Sequence, residues 1–412
     1  MIAQRPEHAE EIFAWLREPS LAALLALLDR DGEEARVVGG AVRNALLGEP
    51  VIEWDIATTA TPDVVTRRSL AAGWKVVPTG IEHGTVTVVV DKHPYEVTTL
   101  REDVETDGRR AVVRFGRDFR ADAFRRDFTI NALSVTRDGT VHDYAEGFAD
   151  IAARRIRFIG EADQRIAEDY LRIFRLFRFH ARYANGPLDP ESLAAAIRGR
   201  GGIAILSRER IHAELLKLLV ARRGPDVVEE IEGAGFLALA VGGVGRLAVL
   251  QRMAALEERL GLAPEPIRRL AALGLFVRED AERLAERLRL SNAEARRLGL
   301  LAREGEAARG PIAGHDLRVL LYRLKKADSL DHILLCWARS GDEGWQASYT
   351  DAVATPVPVL PFGGADVTRL GLPQGPAVGQ VLARAEGRWI DADFPDAATA
   401  RAILAEEVRR ET

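Results

Sequence analysis

The run Gly39-Gly40-Ala41-Val42-Arg43-Asn44, followed by Glu53-Trp54-Asp55, carries the densest chemistry in the chain. A glycine pair before an apolar helix start lets the backbone approach an anion, and the free N–H groups of the first helical turn point at it. Two carboxylates at i and i+2 come next. On a strand they share one face, about 7 Å apart along the chain, and Trp54 then faces the other way, into the core. An anion cradle beside paired acids suits metal-assisted phosphoryl or nucleotidyl transfer. Two Mg2+ ions can lower the pKa of an attacking hydroxyl and neutralise charge on the phosphates. Mg2+ takes hard oxygen ligands and keeps waters, so two or three carboxylates suffice. Glu53 and Asp55 supply two; Glu96, in Tyr95-Glu96-Val97-Thr98-Thr99, is the candidate third, brought alongside by strand pairing. Taken alone, the pair also reads as a solvated strand edge.

Two further clusters add to the pattern. In Arg125-Arg126-Asp127-Phe128-Thr129 the guanidiniums can clamp a triphosphate, and Asp127 can accept a hydrogen bond from a ribose hydroxyl. In Glu168-Asp169-Tyr170-Leu171-Arg172 the spacing places Asp169 and Arg172 on one helix face. Such a pair can be a plain surface ion pair. It can also read a base: the carboxylate accepts from an exocyclic amine and the guanidinium donates to the adjacent ring nitrogen. Cytosine and adenine satisfy that order, whereas uracil and guanine reverse it. Arg175 and Arg178 continue at three-residue steps, each turning about 60° around the helix, which points Arg178 away from Asp169. The charged stretch 101–110 reads as a loop, either a mobile element of the site or an ordinary exposed one. His142-Asp143 stands in a strand-and-turn pattern with no second histidine cluster, which argues against a phosphohydrolase domain.

These residues need elements to hold them. Residues 5–30 read as two helices, the second presenting Leu21, Leu24, Leu25 and Leu28. Strand signals follow at Val37-Val38, Val51-Ile52, Val76-Val77, Thr85 to Val90, Tyr95 to Thr99 and Val112-Val113, separated by turns at Thr79-Gly80, Asp91-Lys92 and Asp107-Gly108. From about 160 onward the pattern is helical, at 161–183, 190–200, 207–222, 225–235, 245–260, 264–276, 278–289, 291–304, 314–326 and 327–340. Pro356, Pro358 and Pro361 mark an extended connector. The expected organisation is α+β: an N-terminal helical segment (1–35), a small mixed-sheet head (36–155), then an all-helical neck (156–222), body (223–305) and tail (306–412).

At 412 residues the chain is too long for one core. Its net charge of −5 excludes a polycation, so nucleic-acid contact requires a local basic surface. The one cysteine, Cys336, excludes an internal disulfide and fits a reducing cytoplasmic setting. No apolar run reaches the ~20 residues of a membrane span.

In order and spacing, Gly39-Gly40-x-x-Arg43, Glu53-x-Asp55-Ile56-Ala57-Thr58, Arg125-Arg126-Asp127-Phe128-Thr129 and Glu168-Asp169-x-x-Arg172 resemble the class II CCA-adding enzymes, the tRNA nucleotidyltransferases. Gly80-Ile81-Glu82-His83-Gly84-Thr85 and Glu96-Val97-Thr98-Thr99-Leu100-Arg101 are similar to that family too. The likeness is strong over 36–185; beyond it only Gly364-Ala365-Asp366-Val367 through Trp389 looks like a family tail. The resemblance implies a polymerase-beta-like head and the use of CTP and ATP with two Mg2+ ions to build the tRNA 3′ CCA end. By position it implies metal binding by Glu53, Asp55 and Glu96, and phosphate contact by Gly39, Gly40 and Arg43. Arg126 and Asp127 would hold triphosphate and ribose, and Asp169 and Arg172 would read the base, supported by Arg175 and Arg178. Two positions depart from the family pattern. Glu53 replaces the usual Asp, moving a ligand by a methylene, and Asn44 replaces the Asp of Val-Arg-Asp, removing an acid expected to orient Arg43. A poly(A) polymerase, an enzyme adding only CC or only A, and an inactive RNA-binding homologue are the alternatives. The sequence leaves oligomeric state open.

Overall fold

The computed structural model describes residues 2–80, 84–107, 110–304 and 310–411. The chain divides into two compact units, 1–206 and 207–412, and this boundary falls inside the stretch read above as the neck.

The first unit is built on a mixed sheet of eight strands. They are β1 (Ile2–Gln4), β2 (Ala35–Val38), β3 (Asp55–Thr58), β4 (Lys75–Gly80), β5 (Thr85–Val90), β6 (His93–Thr99), β9 (Ser134–Val135) and β10 (Val141–Asp143). Their order is β1-β10-β9-β2-β3-β6-β5-β4. All neighbours are antiparallel except β3 and β6, which run parallel. A separate two-stranded ribbon pairs β7 (Arg101–Asp107) with β8 (Arg110–Phe115).

Alternation along the strands separates the two faces. Ile56, Val97 and Val86 are register partners and buried. The helices Pro19–Leu28 and Pro62–Ala71 pack over the sheet, bringing Leu21, Leu24, Leu25, Leu28 and Val65, all fully buried. Each such side chain contributes about 1.5–3 kcal/mol by leaving water. The other face carries the row Val38–Asp55–Glu96–Thr87. Part of that face is sealed by Phe119, which joins Val38, Ala57 and Leu100 in a small core.

Several expectations need correction. Val51-Ile52 is not a strand: it follows Pro50, and Ile52 is 81% exposed with nothing to pack against. Thr79-Gly80 belongs to β4 and not to a turn. Asp91-Lys92 is a turn, with both residues at positive φ (48° and 70°) as a tight hairpin requires. The stretch 101–110 is the β7–β8 ribbon instead of a loop; residues 108–109 of it, and Ile81-Glu82-His83, lie outside the described residues. The helix expected over 161–183 breaks at Asp169, whose extended φ of −157° separates Ala162–Glu168 from Leu171–Tyr183.

Among its described residues the second unit contains helices and connecting segments but no strand. Ser291 and Glu294 form a reciprocal capping box, Ser291 N donating to Glu294 Oε2 (2.8 Å) and Glu294 N to Ser291 Oγ (3.4 Å). The two helices expected at 314–326 and 327–340 are present within Gly314–Ser340, separated at Lys325, whose φ of 68° and ψ of 172° are not helical. A short helix, Phe236–Val241, had no counterpart in the sequence reading. Residues 356–363 are extended as the prolines require, and the tail closes on a core of Val367, Val381, Ala385, Trp389, Ala400 and Leu404.

Candidate active site

The open face of the sheet gathers the acids. Asp55 stands opposite Glu96 across the parallel β3/β6 pair, with neighbouring strands about 4.8 Å apart. Both residues are exposed, as is Glu53, which lies in the segment leading into β3. Trp54 turns the other way, to Trp15 and Tyr95, with ring centroids 6.3 and 6.1 Å distant. Although Asp55 keeps solvent contact, desolvation holds its carboxyl above the usual range; Arg126 opposes this shift and Glu53 reinforces it. The Glu53 carboxylate thus repels that of Asp55. Among the described residues no three His, Cys, Asp or Glu side chains form a ready-made metal cluster. Asp55 and Glu96 nevertheless set hard oxygen donors on one face, which fits Mg2+, an ion that completes its shell with water and phosphate.

Gly39 ends β2, one residue after the partner of Asp55, and caps the helix Gly40–Leu47. Its φ of 70° and ψ of −120° suit glycine alone. A Cβ there would also lie 2.7 Å from Arg126 Nη1. The Arg126 guanidinium thus lies against the glycine turn and within electrostatic reach of Asp55, tethered by Asp122 Oδ2, which accepts from Nη2 at 3.1 Å. The helix Phe119–Arg125 that delivers it is anchored by buried Phe119.

Arg43 sits differently from the phosphate contact expected of it. Its guanidinium is buried and donates to Asn131 Oδ1, to Asn44 Oδ1 (3.1 and 2.8 Å from Nε and Nη2) and to Tyr183 Oη (2.8 Å). Desolvation lowers its pKa, yet an arginine stays charged. Asn44 therefore does orient Arg43, contrary to the loss expected from its replacing an acid. Its amide also donates to the Pro50 carbonyl at 3.1 Å, which a carboxylate could not do.

Asp127 is likewise inside the protein. Its Oδ1 accepts from Phe128 N (2.9 Å) and Asn131 Nδ2 (2.8 Å), and its Oδ2 from Arg175 Nε (2.7 Å) and Nη2. Burial pushes its carboxyl up, but Arg175 and Asn131 outweigh burial and leave it below the usual carboxylate range. A ribose hydroxyl would have to displace one of these donors.

The helix Leu171–Tyr183 is buried at every position except Arg172, Arg175, Arg178 and Arg182. Asp169 precedes that helix and its Oδ1 accepts from Leu171 N at 3.0 Å, so Asp169 and Arg172 are not two positions of one helix face as the spacing suggested. Arg172 instead reaches Glu168 Oε2 and the Arg165 carbonyl. Arg178 stacks on Phe179, 4.3 Å from the ring centroid.

Sequence reasoning missed three positioning groups. Asn131 joins Asp127 to Arg43, Tyr183 ties the arginine-bearing helix to Arg43, and Arg165 Nη2 donates to the carbonyls of Arg125 (2.6 Å) and Arg126. Asn131 carried a signal, being a polar residue inside the apolar run after Asp127.

Residues 35–157 match the family described as the Poly A polymerase head domain. The CCA tRNA nucleotidyltransferase 1, mitochondrial, of Danio rerio is 34% identical, covering 92% of this chain and 88% of its own length. A CCA-adding enzyme of Levilactobacillus brevis is 41% identical over 52% of each chain. Among solved structures, the Bacillus stearothermophilus CCA-adding enzyme in complex with CTP superposes with a TM-score of 0.73 at 26% identity, covering 98% of this chain and 99% of that one. A head of this topology, with Asp55 and Glu96 in register beside the glycine turn and a similarity that runs nearly end to end, places the chain in the CCA tRNA nucleotidyltransferase family.

Proposed function

We propose that this protein adds or repairs the 3′-terminal CCA of tRNA, taking CTP and ATP and releasing pyrophosphate without a nucleic-acid template. The observation that carries the reading is the row in which Asp55 and Glu96 pair in register, with Glu53 coupled to Asp55 and Arg126 laid across Gly39. Glu53, Asp55 and Glu96 would hold Mg2+, which when bound lowers the pKa of the tRNA 3′-hydroxyl and offsets charge on the triphosphate. Gly39 and Gly40 open the backbone for the phosphates, and Arg126 lies against Gly39 and within electrostatic reach of Asp55.

Arg43 and Asp127 act by positioning: Asp127 holds Arg175, and Arg43 holds the glycine-turn helix to Tyr183. We assign base reading to Asp169 and Arg172, with the half-buried Arg175 and Arg178 following Arg172 at three-residue steps along the helix. The zebrafish relative whose length this chain nearly spans is named for CCA addition, and the Bacillus stearothermophilus structure holds CTP. Among the described residues no helix is long and apolar enough to cross a membrane; we assign the protein to the cytoplasm, to be checked by imaging a fluorescent fusion.

The test supplies each labelled nucleoside triphosphate to tRNA ending before CCA, to tRNA ending in CC, and to an unrelated RNA. C then A should be added to tRNA and synthesis should stop. Unlimited A addition to any RNA would assign a poly(A) polymerase, and uptake of UTP equal to that of CTP would remove the base-reading role of Asp169 and Arg172.

A further inference from the structure

One continuous chain of hydrogen bonds runs from the base-reading helix to the loop that carries Glu53. Arg175 donates to Asp127 Oδ2 (2.7 Å), and Asn131 Nδ2 donates to Asp127 Oδ1 (2.8 Å). Asn131 Oδ1 accepts from Arg43 Nη1, and Arg43 Nη2 donates to Asn44 Oδ1 (2.8 Å). Asn44 Nδ2 then donates to the Pro50 carbonyl (3.1 Å), three residues before Glu53. The orientation of both amides follows from their partners. A guanidinium only donates, so it must face the amide oxygens; a carboxylate and a carbonyl only accept, so they must face the amide nitrogens. Asp127, Asn131 and Arg43 are all buried, where each link is stronger and a missing one leaves a partner unsatisfied.

We propose that Asn131 is a positioning residue that couples nucleobase selection to the acid loop, as the middle link between Asp127–Arg175 and Arg43–Asn44–Pro50. This rests on the functional reading above. Asn131 touches neither base nor metal ligand. It sets Asp127, and through it Arg175, on one side and the Arg43–Asn44 pair on the other. A shift of the arginine-bearing helix on binding a matched base is thereby felt at Pro50, and a mismatched base leaves the acid loop misplaced.

The test uses the full chain with Asn131→Asp and Asn44→Asp. Asn131→Asp keeps the acceptor for Arg43 but sets a second carboxylate against Asp127. Asn44→Asp keeps both Arg43 bonds but sets an oxygen against the Pro50 carbonyl. With Asn131→Asp the ratio of kcat/KM for CTP over UTP should fall by about tenfold or more, the size of one lost buried hydrogen bond. With Asn44→Asp, kcat at saturating CTP should fall and the Mg2+ concentration for half-activity should rise, while KM for CTP stays within about twofold. The double variant should be less impaired than the product of the two single losses, because both cut one chain.

A uniform loss with all four nucleotides in Asn131→Asp, or a multiplicative double variant, overturns the proposal. If Asn131→Asp does not fold, Asn44→Asp decides alone: a higher KM for CTP with unchanged kcat overturns it. A wild-type protein that incorporates neither CTP nor ATP into tRNA would overturn the functional reading itself, and this coupling with it.

Discussion

Asp55 occupies a costly place for a charge. Desolvation and Glu53 both favour its neutral form, and Arg126 alone among the named causes favours the carboxylate. Because its pKa in the fold is raised, the ionised form destabilises the folded protein once the pH exceeds the ordinary aspartate range. Asp55→Asn should therefore melt no lower than wild type at neutral pH, by differential scanning fluorimetry, while incorporation falls by about a thousandfold or more with a metal ligand gone. Asp127 has the opposite sign: its pKa is lowered, so its pairing with Arg175 stabilises the fold above the ordinary aspartate range and is lost as pH falls through the lowered value. Asp127→Asn should lower stability by about 3 kcal/mol in urea melts at pH 7, since Arg175 then loses its buried anion. The placement of the candidate residues was partly legible. The acids, the glycine turn and Arg126 stood out because metal and phosphate chemistry needs those types at that spacing. The inward engagement of Arg43 and Asp127 did not, because a guanidinium in a motif carries no mark of whether its partner is a ligand or Asn131.

Helices and strands were read best where burial is periodic. The helix Pro19–Leu28 buries each leucine expected of it, and β5 and β6 alternate as their β-branched residues require. Local composition misled where tertiary context decided. Val51-Ile52 has strand residues but no neighbouring strand, and the polar stretch 101–110 is paired despite its charge. The break at Asp169 was hidden because Ala162–Glu168 and Leu171–Tyr183 follow one another with helix-forming residues on both sides. What joins these two helices to the site is Arg165, which receives no direct hint from spacing. It caps the C-terminal carbonyls of the helix Phe119–Arg125 while pairing with Glu168. Arg165→Met should release the Arg125–Asp127 corner and raise KM for both CTP and ATP by about tenfold, the equivalent of one charge-assisted hydrogen bond. Unchanged KM values in steady-state kinetics would remove that role.

Across the whole molecule the arginine content has a structural explanation besides RNA contact. In the second unit Arg252, Arg269, Arg283, Arg287 and Arg339 donate to carbonyls at or just past helix C-termini, those of Ala338, Leu219, Val241, Leu239 and Leu275. Buried ion pairs take up further guanidinium groups: Arg268 and Arg269 pair with Glu257, and Arg268 also with Asp331. Such arginines satisfy orphan carbonyls and offset the helix dipole. Composition could not distinguish that use from phosphate binding, and for the same reason it pointed to no RNA-facing stripe in this half. The acids at 53, 55 and 96, by contrast, are exposed. Chelation by EDTA should stop incorporation, with Mg2+ restoring activity.

The most direct measurement is anomalous scattering from crystals of the protein soaked with Mn2+ and a non-hydrolysable CTP analogue. Metal peaks should appear against Asp55, shared with Glu53 or Glu96 and with the triphosphate beside Gly39 and Arg126. A triphosphate bound there with its metal ions touching none of the three carboxylates would contradict the assignment.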